Sequence, residues 1–183
     1  MKIKKLGLKN YRNISALDID LKSKKTLIVG KNAQGKTNIL ESIYFLSDLK
    51  SPRTSALTEM IQFDQSSFEL NAIIEKNQTE IELDFSYNTD KKRGIFVNKV
   101  KTTPKNFKSV VKTVLFSTKD LMLLRGAPQD RRDWLDRAIS QVYPAYDERL
   151  TKYDKIRVQK NNLLKQDSID ENLLENWDIE EEN

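Results

Sequence analysis

With 183 residues, 38% hydrophobic and 32% charged, the chain is long enough to bury a core as one domain, and no apolar run approaches the ~20 residues of a membrane-spanning helix. It contains no Cys and no His, which removes disulfides, thiolate chemistry, the commonest general base and most transition-metal sites. The net charge of +5 is unevenly placed: all 32 basic residues and 19 of the 27 acidic ones lie in residues 1–166, a net +13, which reads either as a body for a polyanion such as nucleic acid or as a solvated lysine-rich surface.

The N-terminus, Met1-Lys2-Ile3-Lys4-Lys5, has no long apolar run behind it, so no secretory signal is expected; with the missing cysteines this fits the cytoplasm. Residues 1–30 read as three short strands. The first carries Ile3, Leu6 and Leu8 and ends at a turn, Asn10-Tyr11-Arg12-Asn13. The second is the strict alternation Leu17-Asp18-Ile19-Asp20-Leu21. The third, the apolar run Thr26-Leu27-Ile28-Val29, is expected to be a buried strand that feeds Gly30-Lys31-Asn32-Ala33-Gln34-Gly35-Lys36-Thr37. A helix from Asn38 to about Leu46 follows, stopped by Ser51-Pro52-Arg53-Thr54. From 68 to 100 the pattern is a meander of hairpins, with turns at Glu75–Gln78 and Asn88–Gly94. Val110–Phe116 reads as another buried strand.

The period then changes. Leu121, Leu124, Trp134, Leu135, Ala138 and Ile139 fit helices broken at Gly126-Ala127-Pro128, with Pro128 starting the next helix and Trp134 and Leu135 expected in the core. Ala145 to Lys165 reads as a long polar helix with a thin apolar stripe of Leu150, Tyr153, Ile156, Leu163 and Leu164. Ser168 is suited to cap a short helix from Ile169 to about Trp177, and Ile179–Asn183 is an acidic tail.

Residues 30–37 read G-x-x-x-x-G-K-T. Strand, glycine-rich loop and helix together are the context that makes this pattern a P-loop rather than a glycine-containing turn. Gly30 and Gly35 tolerate backbone angles that a Cβ forbids. Loop N–H groups can then turn inward around phosphate oxygens, and the following helix aims its positive end at the same place. Lys36 is suited to the β- and γ-phosphates and the Thr37 hydroxyl to Mg2+. Lys91, Lys92, Arg93, Lys99, Lys101, Lys105 and Lys108 are candidates for phosphate-backbone contacts, which set affinity without reading sequence. Arg131 and Arg132, about 100° apart on a helix, read either as partners of Asp133 or Asp136 at helical spacing or as further DNA contacts.

Three segments in order, Leu8-Lys9-Asn10-Tyr11-Arg12-Asn13, the P-loop with Asn38-Ile39-Leu40-Glu41-Ser42-Ile43-Tyr44, and Leu124-Arg125-Gly126-Ala127-Pro128-Gln129-Asp130-Arg131-Arg132-Asp133-Trp134-Leu135-Asp136, resemble the N-terminal half of the RecF family of bacterial recombination and repair proteins. That family belongs to the ABC-type ATPases of the SMC and Rad50 group. The resemblance implies an α/β P-loop NTPase fold of ABC-ATPase head type, an antiparallel β meander plus P-loop core with the start of a helical arm, incomplete here. It divides the chain into the N-terminal part of a head (1–135), a truncated helical arm (136–178) and the acidic tail (179–183).

The implied function is ATP-dependent DNA binding in recombinational repair, replication and the SOS response, with ATP and Mg2+ as cofactors. The implied partners are double-stranded DNA and single-strand/double-strand junctions, a second copy in an ATP-dependent homodimer, and a RecR-type recombination mediator, with no membrane. Gly30, Lys31, Asn32, Ala33, Gln34, Gly35, Lys36 and Thr37 would hold the nucleotide, with Arg12 and Asn13 beside it; a solvated turn is the alternative for the last two. The family is a weak DNA-dependent ATPase, but no four apolar residues followed by Asp-Glu occur here, so the Walker B pair is missing, as is the signature helix. Thr118-Lys119-Asp120-Leu121 also departs from the family's Pro-Glu-Asp-Leu. The expectation is a shortened form, inactive in hydrolysis on its own. The competing readings are a P-loop phosphotransferase for a small metabolite and an inert fragment.

Overall fold

Alternating apolar residues give β-strands within residues 2–97 one face to bury, and six strands in all pair into a single antiparallel sheet whose buried residues lie on four of them. The computed structural model describes residues 1–117, 120, 126–143 and 145–165. Its strands are β1 (Lys2–Tyr11), β2 (Ile14–Asp20), β3 (Ser67–Lys76), β4 (Thr79–Asn88), β5 (Arg93–Val97) and β6 (Val100–Lys101). The order across the sheet is β2-β1-β3-β4-β5-β6. Asn77 and Gln78 (φ 51° and 65°) join β3 to β4, and Asn98 and Lys99 (φ 50° and 64°) join β5 to β6. Two consecutive left-handed residues give the hairpin turn whose twist matches that of the flanking strands.

Helix α1 (Lys36–Asp48) lies on the buried face. It brings fully buried Phe45 and Leu46 to Leu6 and Leu8 of β1, Phe68 and Leu70 of β3, and Leu83 and Phe85 of β4. Phe45 meets Phe85 edge-on at 4.8 Å, and Tyr11 meets Phe68 at 5.4 Å. Leu49 (φ 54°) ends the helix, its N–H donating to the Phe45 carbonyl at 2.8 Å, and Ser51-Pro52 follows. The Ser47 hydroxyl bonds Thr113. A single 3₁₀ turn (Leu57–Met60) and α2 (Pro104–Lys108) complete this unit, residues 1–117, and Phe107 of α2 is fully buried.

The second unit, residues 118–183, contains α3 (Pro128–Val142) and α4 (Tyr146–Leu163). Pro128 opens α3, as expected, and the Asp130 carboxylate accepts from the Ala127 N–H at 2.9 Å. On α4, Ile156 and Leu163 are buried.

Three expectations are corrected. Thr26–Val29 is not a strand; Leu27 and Val29 are 85% and 77% exposed. Val110–Phe116 is likewise no strand: Val111 enters the core, whereas Val114 and Phe116 are exposed. A strand exists only when its N–H and C=O groups find a ladder, and among the described residues neither segment has one. The third concerns Trp134 and Leu135, which are 45% and 51% exposed because α3 buries none of its residues. The expected helix from Ile169 to Trp177, the acidic tail, and Leu121 and Leu124 lie outside the described residues.

Candidate nucleotide site

The glycine-rich loop bends through two left-handed residues, Ala33 (φ 64°) and Gly35 (φ 91°). Gly35 caps α1, and glycine is required there twice over. Its φ disfavours a side chain, and a Cβ would stand 3.1 Å from Asn13 Oδ1 and 3.3 Å from the Ile14 side chain. No side chain caps α1, so the open N–H groups of its first turn face the loop with the positive end of the helix dipole. The Lys36 ammonium reaches back across the loop and donates to the carbonyls of Gly30 at 2.7 Å and Lys31 at 2.6 Å. Lys31, Asn32, Ala33, Gln34 and Thr37 are exposed around it. A fixed cation, uncapped helix N–H groups and a free hydroxyl at one loop suit a phosphate chain with its metal ion.

Of the two flanking residues singled out beforehand, the structure brings Asn13 to the loop, where its Nδ2 donates to the Ala33 carbonyl at 2.7 Å. Its neighbour turns elsewhere. Arg12 makes a forked pair with Glu41 of α1, Nε to Oε2 at 3.1 Å and one terminal nitrogen to Oε1 at 2.7 Å, while the other donates to the Glu59 carbonyl at 2.8 Å. Glu41 is 2% exposed and also accepts from Ser51 and, at 3.4 Å, from Arg53. Burial alone would raise its carboxyl pKa; the bonds from Arg12 and Ser51 and the two guanidinium charges outweigh that and hold it below the usual value.

Sequence reasoning missed Asn38, Glu41, Ser51 and Arg53 as a group. Asn38 Nδ2 donates to Asn13 Oδ1 at 2.7 Å, and Arg53 donates to Asn38 Oδ1 at 2.6 Å. One signal was available: Glu41 and Phe45 are four apart and share a helix face, and an acid on a face that buries an aromatic ring needs a cation.

The basic candidates are divided in space. Lys91, Lys92 and Arg93 are exposed at the β4–β5 turn, while Lys99 and Lys101 lie at the other end of β5, Lys99 3.9 Å from Glu82. Lys105 and Lys108 are on α2, and Lys108, 24% exposed, is 4.0 Å from Asp48. In the second unit, Arg131 donates to the Gly126 carbonyl at 3.2 Å and Arg132 to Gln129 at 3.4 Å. Asp133 accepts from Gln129 and Asp136 from the Tyr146 hydroxyl.

Comparison with known proteins agrees with this geometry. The family model described as an AAA ATPase domain matches residues 1–182. The DNA replication and repair protein RecF of Natranaerobius thermophilus is 42% identical over 168 residues, which is 90% of this chain and 44% of that protein. RecF of Clostridium beijerinckii is 38% identical over 181 residues, 98% of this chain and 49% of that protein. A solved structure of the recombination mediator protein RecF with ATP superposes with a TM-score of 0.88 at 31% identity, covering 98% of this chain and 50% of its own. The chain thus spans about half the length of the relatives it matches, and its fold is that of a P-loop ATPase head.

Proposed function

This chain belongs to the AAA ATPase domain family, and from that premise we propose that it binds ATP with Mg2+ at residues 30–37 and duplex DNA on its basic surface, in RecF-like DNA repair and replication. The observation that carries the reading is the Lys36 ammonium held at 2.6–2.7 Å from two loop carbonyls beneath an uncapped helix start. The β- and γ-phosphates would replace those carbonyls as partners of Lys36, loop N–H groups would take the remaining oxygens, and the Thr37 hydroxyl would ligate the metal ion. Asn13 supports the loop from outside through Ala33. Arg12 supports α1 through Glu41 rather than reaching across the loop.

DNA is supported by the +13 carried by residues 1–166 and by the relatives' role in replication and repair. Single-strand/double-strand junctions, an ATP-dependent homodimer, a RecR-type mediator and a cytoplasmic location belong to the same reading. Hydrolysis is not part of it for this chain alone. Turnover needs acids that hold the metal and position a water, and no Asp-Glu pair follows an apolar strand anywhere in the sequence. The relatives named above are replication and repair proteins, which favours this reading over a small-metabolite phosphotransferase.

Calorimetry with MgATP tests the nucleotide site. The parent should bind and Lys36→Ala should not, with both giving the same circular dichroism and melting curve. Equal binding by the two would remove the P-loop assignment.

A further inference from the structure

A cleft of about 660 Å³ opens at the C-terminal end of α1, away from the loop. It is lined by Lys50 and Arg53, by Arg93 at the start of β5, and by Lys108 of α2, with Asp48 its one acid. Asp48 lies 4.0 Å from Lys108 and offsets that charge. The side chains of Lys50 and Arg93 are exposed and make no bond among the described residues. Arg53, with its side chain 44% exposed, reaches from the cleft to the buried carboxylate of Glu41 at 3.4 Å.

The Arg53 guanidinium also starts a chain of bonds with one direction, which runs along the exposed side of the helix start. Arg53 donates to Asn38 Oδ1 at 2.6 Å, Asn38 Nδ2 to Asn13 Oδ1 at 2.7 Å, and Asn13 Nδ2 to the Ala33 carbonyl in the loop at 2.7 Å. A guanidinium has donors only, so Asn38 must turn its oxygen toward Arg53. Its nitrogen then faces Asn13, and the nitrogen of Asn13 in turn faces Ala33. Arg53 therefore fixes the orientation of two side-chain amides, the second of which holds a left-handed residue of the loop. Without that donor, either amide could rotate and present oxygen to oxygen.

We propose that Lys50, Arg53 and Arg93 form a cleft for the phosphate backbone of duplex DNA, and that its occupancy is relayed to the P-loop through Arg53, Asn38 and Asn13. The proposal rests on the ATP-and-DNA reading and adds where the DNA sits and how the two ligands communicate. A backbone phosphate in the cleft competes with Asn38 and Glu41 for the Arg53 guanidinium. Drawing Arg53 outward releases the amides and changes the support of the loop. Arg53 is thus a positioning residue for the nucleotide and a contact residue for the DNA. Coupling between two ligands is reciprocal, so bound nucleotide must alter DNA affinity by the factor by which DNA alters nucleotide affinity.

The test uses the full 183-residue chain, a short fluorescent duplex and a non-hydrolysable Mg-nucleotide. Lys50→Glu with Arg93→Glu should weaken duplex binding at least ~10-fold and lower its salt slope by about two, leaving nucleotide affinity without DNA unchanged. In the parent, duplex should shift nucleotide affinity ~5-fold or more. Arg53→Met should abolish the shift, and Arg53→Lys, another donor-only side chain, should restore it. If the double variant binds duplex as the parent does while Lys91→Glu with Lys92→Glu weakens it, the cleft is wrong and the DNA reading stands. If the parent binds no duplex at low salt, both fail. If inorganic phosphate at matched ionic strength shifts nucleotide affinity as duplex does, the cleft senses free phosphate and the DNA assignment is overturned. If Arg53→Met keeps the full shift, the relay is wrong.

Discussion

Removing the Glu41 carboxylate tests the idea that this buried acid, rather than the loop, secures α1 to the sheet. The side chain is 1% exposed and its two oxygens accept from Arg12, Ser51 and Arg53. Breaking a buried pair from one side costs about 3–5 kcal/mol, because the other charge stays behind. Here Arg12 keeps its bond to the Glu59 carbonyl and its side chain is 16% exposed, so water recovers part of that cost. For Glu41→Ala we therefore expect about 3 kcal/mol, the low end of the buried-pair range. At ~4 °C per kcal/mol for a unit of this size, that is a drop of roughly 12 °C in Tm. Glu41→Gln keeps the shape and one acceptor and should lose about half as much.

The acid limb gives an independent check. Folding lowers the Glu41 pKa, so the unfolded chain takes up the proton first as pH falls. Its stabilisation is complete above the unfolded value of about 4.3 and is lost as pH drops through the lower folded value. The parent should lose stability over that window, and Glu41→Gln should show a flatter slope there. Urea melts across pH 2–6 measure both. A loss under about 1 kcal/mol for Glu41→Ala, the size of a surface ion pair, together with unchanged slopes, would refute the reasoning.

Three further outcomes follow from the same geometry. Gly35→Ala forces a Cβ into a left-handed residue 3.1 Å from Asn13 Oδ1; it should cost about 1–2 kcal/mol in urea melts and weaken MgATP binding measured by calorimetry. Charge reversal at Lys91, Lys92 and Arg93 together should weaken all duplex sequences alike and lower the salt slope by up to about three in fluorescence anisotropy. Phosphate release by the purified chain should stay at background with or without DNA. A Lys36-dependent rate would mean that an acid in this chain, Asp120 first, completes the site.

Much of the fold was legible because its signals are local. The alternation Phe68, Leu70, Ala72, Ile74 names one face of β3 without reference to any other segment, and Pro128 marks the start of α3 by its fixed φ and missing N–H. The glycine-rich loop was legible for the same reason. What could not be read depends on distant partners. Thr26–Val29 has the composition of a buried strand, but four apolar residues cannot say whether a ladder exists beside them. Arg12, Glu41 and Arg53 are 29 and 12 residues apart along the chain, and only the folded hairpin and helix bring them together. Trp134 failed differently: it shares an apolar stripe with Leu135, Ala138, Ile139 and Val142, which is the pattern of a buried face, yet no residue of α3 is buried.

The bare side chains of Leu27, Val29, Val114 and Phe116 make the molecule respond to salt in two opposing ways. Added chloride screens the lysines and loosens any polyanion. Strongly excluded salts such as sulfate drive exposed apolar groups together, so the same four residues favour self-association and salting-out as ionic strength rises. Titrations of the electrostatic partner are therefore sound only where light scattering stays flat. A polar replacement such as Val114→Thr, at a residue 99% exposed, widens that range without touching the loop or the basic cleft.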